Sequence, residues 1–253
     1  MPFRLLTALF IGLVLPAWAA AQSPAIVRPE VVATYPHDTS AFTQGLFIAE
    51  GRLWESTGRV GSSGLREVDL ETGETIRQAV IEPPFFGEGA VRFGDEIFVL
   101  TWRSEQGFIY DAETLERVDT FTYPGEGWGL TTDGNHLILS DGSHVLRRLD
   151  PQTMALAGTL EVTLNGRPVR RLNELEWVNG EIWANIWQTR SIVRIDPETG
   201  AVTGLVDLTA LVPESVRGSR DSVANGIAWN AGTGQVYVTG KLWPELIEIR
   251  LPD

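Results

Sequence analysis

The sequence predicts an all-β protein, a five-bladed β-propeller closed by its own N-terminal strand. Three observations carry this expectation. A unit of about 40–50 residues recurs five times, a period typical of propeller blades. Its segments are short alternating runs separated by Gly-, Asp- and Asn-rich turns, the pattern of strands and hairpins. The final unit is one strand short, and a spare strand stands before the first.

Each unit opens where a polar or aromatic residue and a glycine meet an apolar run. Gln44-Gly45-Leu46, Glu88-Gly89-Ala90, Trp128-Gly129-Leu130 and Asn225-Gly226-Ile227 align directly, and Asn173-Glu174-Leu175 fills the fourth slot with Glu in place of Gly. Turns at Glu50-Gly51, Gly94-Asp95, Asp133-Gly134, Asn179-Gly180 and Gly232-Thr233-Gly234 supply the positive φ of tight hairpins. Second apolar runs follow, such as Ile97-Phe98-Val99-Leu100 and Ile182-Trp183-Ala184. Four units then carry an Asp-x-x-Thr turn, beginning at Asp69, Asp111, Asp150 and Asp196. The last unit stops at Ile247–Leu251, its third strand, and Val31–Tyr35 is the segment expected to complete it. That clasp would pair two edges that otherwise invite aggregation. Amphipathic helical periodicity, which a βαβ fold requires, is absent. Val212 to Ser222 is the one long irregular stretch, read as a surface insertion between blades four and five rather than a lid.

Residues 1–21 read as a secretory signal peptide, with Arg4, an apolar Leu5–Leu15 stretch and small-residue cleavage sites after Ala19 or Ala21. The stretch is short for a membrane anchor. An exported protein, periplasmic or secreted, is therefore expected, with residues 22–253 forming one catalytic domain that works as a monomer. The absence of Cys excludes disulfides and thiol chemistry. A formal net charge of −13 disfavours nucleic acid or anionic membrane as partner.

Residues at equivalent blade positions become neighbours around the central channel. The positions opening the inner strands are Gln44, Glu88, Trp128, Asn173 and Asn225. The next strands end near Glu55, Trp102, Asp141, Trp187 and Lys241. One mouth rimmed by Trp102, Trp128 and Trp187 with Glu88 among them is the expected site. Trp54, Trp177, Trp183 and Trp229 lie within strand runs and are assigned to packing. Glu126 falls two residues before its ring position and reads as an exposed turn residue. Asn173 and Asn225 could equally tie loops through the backbone. Lys241 is the only lysine, against 19 arginines, which suggests that a compact ammonium is wanted there. The three His lack metal-ligand spacing, and no nucleophile elbow or phosphate loop is present. Glu88, Asn173 and Asn225 could imitate the channel-metal ligands of a lactonase-type propeller, and that alternative stands beside a non-catalytic propeller that binds a peptide or protein.

Read together, these segments resemble the plant and bacterial type of glutaminyl-peptide cyclotransferase, or glutaminyl cyclase. The resemblance runs from about His37 to Glu245. It rests on His37-Asp38-Thr39-Ser40-Ala41-Phe42-Thr43-Gln44-Gly45-Leu46, Phe86-Gly87-Glu88-Gly89, Leu100-Thr101-Trp102, Gly127-Trp128-Gly129-Leu130, Ser140-Asp141-Gly142-Ser143, Leu172-Asn173-Glu174-Leu175-Glu176, Trp183-Ala184-Asn185-Ile186-Trp187, Asn225-Gly226-Ile227-Ala228 and Thr239-Gly240-Lys241. It implies a five-bladed propeller that converts the N-terminal glutamine of peptides and proteins to pyroglutamate and releases ammonia. It implies Glu88 as catalytic acid/base and Gln44, Trp102, Trp128, Asn173, Trp187 and Lys241 as the substrate pocket, with Phe42 as a further wall. The chemistry requires no cofactor, and whether a structural channel metal accompanies the fold is left open.

Overall fold

The computed structural model describes residues 24–252, so the signal-peptide reading of residues 1–21 lies outside the described residues. Five antiparallel blades stand around one axis. Their inner strands are Thr43–Ala49, Gly87–Phe93, Leu130–Thr132, Leu172–Val178 and Ala224–Asn230. Blade one continues outward through Arg52–Thr57, Gly64–Val68 and Thr75–Val80, and blades two to four repeat this order.

Blade five contributes only Ala224–Asn230, Gln235–Gly240 and Glu245–Arg250, and Glu30–Pro36 supplies its fourth strand, antiparallel to Glu245–Arg250. The clasp is as the sequence predicts, but it has a second part. Ala25–Val27 adds a fifth, parallel strand to the outer edge of blade four. A small hairpin, Thr163–Leu164 with Arg167–Pro168, separates blades three and four. Neither was foreseen, because segments of two or three residues carry no measurable alternation.

Period-two patterning leaves each blade with two apolar faces, and five buried clusters form, one at each blade interface. Phe47 and Trp54 meet Ala90 and Ile97 between blades one and two. Leu46 and Leu53 meet Ala228 and Tyr237 where blade five closes on blade one. Trp54 and Trp183 are buried in the core as expected, whereas Trp177 and Trp229 are half-buried against its edge.

At the axis the glycines permit close approach. A Cβ on Gly89 would lie 2.6 Å from the Leu130 backbone nitrogen and 2.7 Å from the Gly129 Cα. In the fourth slot Glu174 is fully enclosed, and its Oε1 accepts from the Leu46 amide at 3.3 Å across the axis. Among the described residues its Oε2 has no hydrogen-bond partner, and burial pushes the carboxyl well above its usual range, with Glu176 adding to the effect. Among the described residues no group of three or more His, Cys, Asp or Glu side chains comes together as a metal cage.

Candidate active site

Four of the five ring residues sit inside the first turn of pairing rather than before it, at breaks in register. The inner-strand ladder skips from Thr43 to Gly45, Gly87 to Ala90, Leu172 to Leu175 and Ala224 to Ile227. Residues left out of a ladder are re-aimed. The skipped residues are Gln44, Glu88 with Gly89, Asn173 with Glu174, and Asn225 with Gly226. In blade three the inner strand starts only at Leu130, and Trp128 stands before it at the mouth, its amide donating to the Ser140 carbonyl at 2.9 Å.

These breaks open onto a cavity of 310 Å³ at one end of the channel. Glu88, Gln44, Asn173 and Lys241 form its polar floor, and Phe42, Trp102, Trp128 and Trp187 its walls. Members of both sets of strand ends, Gln44, Glu88, Trp128 and Asn173 from one and Trp102, Trp187 and Lys241 from the other, therefore face the same mouth. Three residues that sequence reasoning missed also line it: Phe86, Arg59 and Asp221. Phe86 stood in a quoted motif beside Glu88. Arg59 and Asp221 come from loops without periodicity, and Asp221 shows that the insertion after blade four reaches the site.

Of the other candidates, Asn225 is turned away: its Nδ2 donates to the Thr43 carbonyl at 2.9 Å, tying blade five to blade one. That removes one member of the imagined lactonase ligand set from the cavity. Glu55 belongs to the scaffold, accepting from Thr43 Oγ1 at 2.6 Å and from Arg66 Nη2 at 2.6 Å, with His37 Nε2 at 3.2 Å. Burial would raise the Glu55 carboxyl, but His37 and Arg66 outweigh it and hold the group at about 2. Asp141 accepts from the Ser143 amide at 2.9 Å and stays outside the cavity lining.

Glu88 is 5% exposed, and its Oε1 accepts from Gln44 Nε2 at 3.2 Å. Burial pushes its carboxyl well above the usual range, Lys241 pulls it back, and Glu126 raises it further. Burial likewise lowers the Lys241 ammonium to about 8, against the opposing pull of Glu88 and Asp221. The ammonium rests 4.7 Å from the Phe42 ring centroid, a cation–π position. The walls interlock: Trp128 and Trp187 meet edge to face at 5.5 Å, and Phe86 lies 5.7 Å from Trp102. Gly142, with φ +79°, leaves the space Trp128 needs, since a Cβ there would lie 2.7 Å from the indole.

Glu126 corrects the sequence reading. It is half-buried, and its Oε2 accepts from both Trp102 Nε1 (2.8 Å) and Trp128 Nε1 (2.9 Å). Its Oε1 accepts from Arg103 Nε at 2.9 Å, and Arg103 stacks 3.8 Å over Trp102. Burial would raise this carboxyl, but the two indoles and Arg103 outweigh it and keep the group ionised. The signal that could have found it was the chance to bridge two indoles whose N–H groups need acceptors once buried.

A sequence model of the glutamine cyclotransferase family matches residues 5–251. The chain is 45% identical over 226 residues to the glutaminyl-peptide cyclotransferase of Arabidopsis thaliana, a match covering 88% of this chain and 71% of that protein. The structure superposes on the crystal structure of Myxococcus xanthus glutaminyl cyclase with a TM-score of 0.84 and 39% identity, covering 90% of this chain and 98% of that one. The propeller, the cavity at its mouth and these likenesses converge, and the chain belongs to the glutamine cyclotransferase family.

Proposed function

We propose that the cavity at the mouth binds the N-terminal glutamine of peptides and proteins and that Glu88 is the acid/base that closes it to pyroglutamate. The observation that carries this reading is a carboxyl with a raised pKa, buried among aromatic rings beside a single ammonium.

In the reaction the α-amine attacks the γ-amide carbon, a five-membered lactam forms, and the carbon–nitrogen bond to the amide breaks. Ammonia departs. Water and redox cofactor are not consumed. Glu88, as carboxylate, takes a proton from the attacking nitrogen and returns it to the leaving one. A carboxyl raised towards neutral pH is suited to both transfers. Lys241 is the donor for the γ-carbonyl oxygen as negative charge develops there, since among the described residues its ammonium rests on the Phe42 ring rather than on a hydrogen-bond acceptor. Gln44 Nε2 already donates to Glu88 and holds the carboxyl in place. The indoles of Trp102, Trp128 and Trp187 exclude water and press the side chain into the folded geometry that ring closure needs.

The test is ammonia release from a Gln-initiated peptide, measured with and without chelator. Glu88→Gln should keep the fold and lose roughly 10²-fold or more in turnover. Near-normal release by the folded variant would remove Glu88 from this role. Tight peptide binding without turnover in the wild type would favour a non-catalytic propeller, and loss of activity on chelation a metal-dependent one.

A further inference from the structure

A second cavity, of 430 Å³, adjoins the first. Trp187 and Asp221 line the catalytic cavity, and their chain neighbours Gln188 and Arg220 line the second. Its floor is apolar, from Val212, Val223 and Ala224, and Arg190 and Arg220 stand at its edge. A glutamine side chain fills the first cavity, so the rest of a peptide must leave across the rim. Successive residues advance by about 3.3–3.6 Å at most. A peptide that leaves on the Trp187–Asp221 side of the rim would bring its second or third residue to the adjoining groove.

Charge decides what this groove suits. Several carboxylates near the mouth have guanidinium partners: Glu126 pairs with Arg103 at 2.9 Å, Asp141 with Arg147 at 3.8 Å and Asp221 with Arg59 at 3.7 Å. Arg190 and Arg220 are exposed, and among the described residues neither has a carboxylate within ion-pair distance. The acidity of the chain collects on the opposite end, where the outer hairpins carry Asp69, Glu71, Asp111, Glu113, Asp196 and Glu198. Two uncompensated guanidiniums beside the reaction cavity are thus presented by a protein that is strongly negative elsewhere.

We infer that this groove is a subsite for an acidic residue of the substrate, at the second or third position after the N-terminal glutamine, with Arg190 and Arg220 as its recognition groups. The inference rests on the cyclase reading above. Guanidinium pairs carboxylate in a planar, bidentate fashion, and charge complementarity at a rim acts on encounter and residence more than on chemistry.

The experiment compares peptides that begin Gln-Gly and differ at the third residue, Ala, Glu or Lys, together with a series varied at the second residue. The enzymes are the wild type and the Arg190→Ala/Arg220→Ala double variant. Neither arginine lines the catalytic cavity, so turnover of the neutral peptide should be unchanged in the variant. The wild type should prefer Glu over Ala by about 5-fold in kcat/KM, chiefly through KM, as a partly exposed ion pair would give. Lys should fall below Ala. The preference should shrink as salt rises and vanish in the double variant. Equal use of the three peptides by the wild type would overturn the subsite, as would a preference that survives in the double variant. Failure to turn over even the neutral peptide would instead strike the cyclase reading, so the two failures are told apart.

Discussion

Glu88 and Lys241 line one cavity, and each limits how far burial can shift the other. Burial raises the carboxyl and lowers the ammonium to about 8, while their mutual attraction opposes both movements. The sign of each follows. In the proposed mechanism Glu88 serves as a base only above its raised pKa, so kcat/KM should fall on the acid side above the range of an ordinary carboxylate. The Lys241 ammonium is lowered to about 8, so the contribution proposed for it at the γ-carbonyl should be lost as pH rises through that value. The alkaline fall should be absent in Lys241→Met, whose remaining activity should be low at every pH. An unaltered alkaline limb in that variant would show that another group controls it. Glu126 acts one step further out. Glu126→Ala removes the acceptor shared by two wall indoles. Hydrogen bonds to a charged group contribute about 1.5–3 kcal/mol, so KM should rise roughly 10-fold and tryptophan fluorescence should shift. Glu126→Gln, which keeps an acceptor oxygen, should recover part of the loss. A variant that only melts earlier, with KM unchanged, would return Glu126 to a structural part. The pocket's polar floor was legible in the sequence because five equivalent positions repeat. Glu126, Arg59 and Asp221 were not, because what they do depends on distances between loops.

At the scale of elements, the two N-terminal strands make unequal contributions. Glu30–Pro36 completes a blade, packs the half-buried Tyr35 against the cluster between blades five and one, and brings the Tyr35 hydroxyl to Glu248 at 3.2 Å. Ala25–Val27 lies outside a blade that already has four strands, and Ile26 is exposed. Removing residues through Val27 should therefore lower the melting temperature only slightly. Removing them through Pro36 should expose two strand edges and cause aggregation or a large loss of stability. Comparable stability of the two truncations, measured by thermal melts at equal concentration, would show that closure does not depend on the longer strand. The longer strand was readable because the last unit visibly lacked one. The shorter strand was not, since it pairs with a sheet that has no gap to announce it.

For the whole molecule, the buried carboxyls fall into two groups that respond oppositely to pH. Glu55 and Asp38 are held at about 2, where burial is outweighed by their partners, chiefly His37 and then Arg66 for Glu55, and Arg66 with Ser40 for Asp38. Groups depressed in the folded state contribute stability that is present above their unfolded pKa, about 4, and lost as pH falls towards 2. Glu174, Glu176 and Glu88 are raised by burial. Relative to their ordinary values they favour the fold while protonated, and that contribution declines as pH rises through their folded pKa values. The −13 net charge adds self-repulsion on the same alkaline side. Stability should thus peak on the mildly acid side of neutrality and fall in both directions. Glu174→Gln keeps an acceptor for the Leu46 amide and removes the ionisable group. It should leave stability near pH 5 almost unchanged and make the decline towards pH 9 shallower, with the acid limb unaltered because Glu55 and Asp38 still set it. Denaturant melts across pH would decide the matter, and an alkaline limb as steep in Glu174→Gln as in the wild type would show that the axial carboxyl carries no titratable strain.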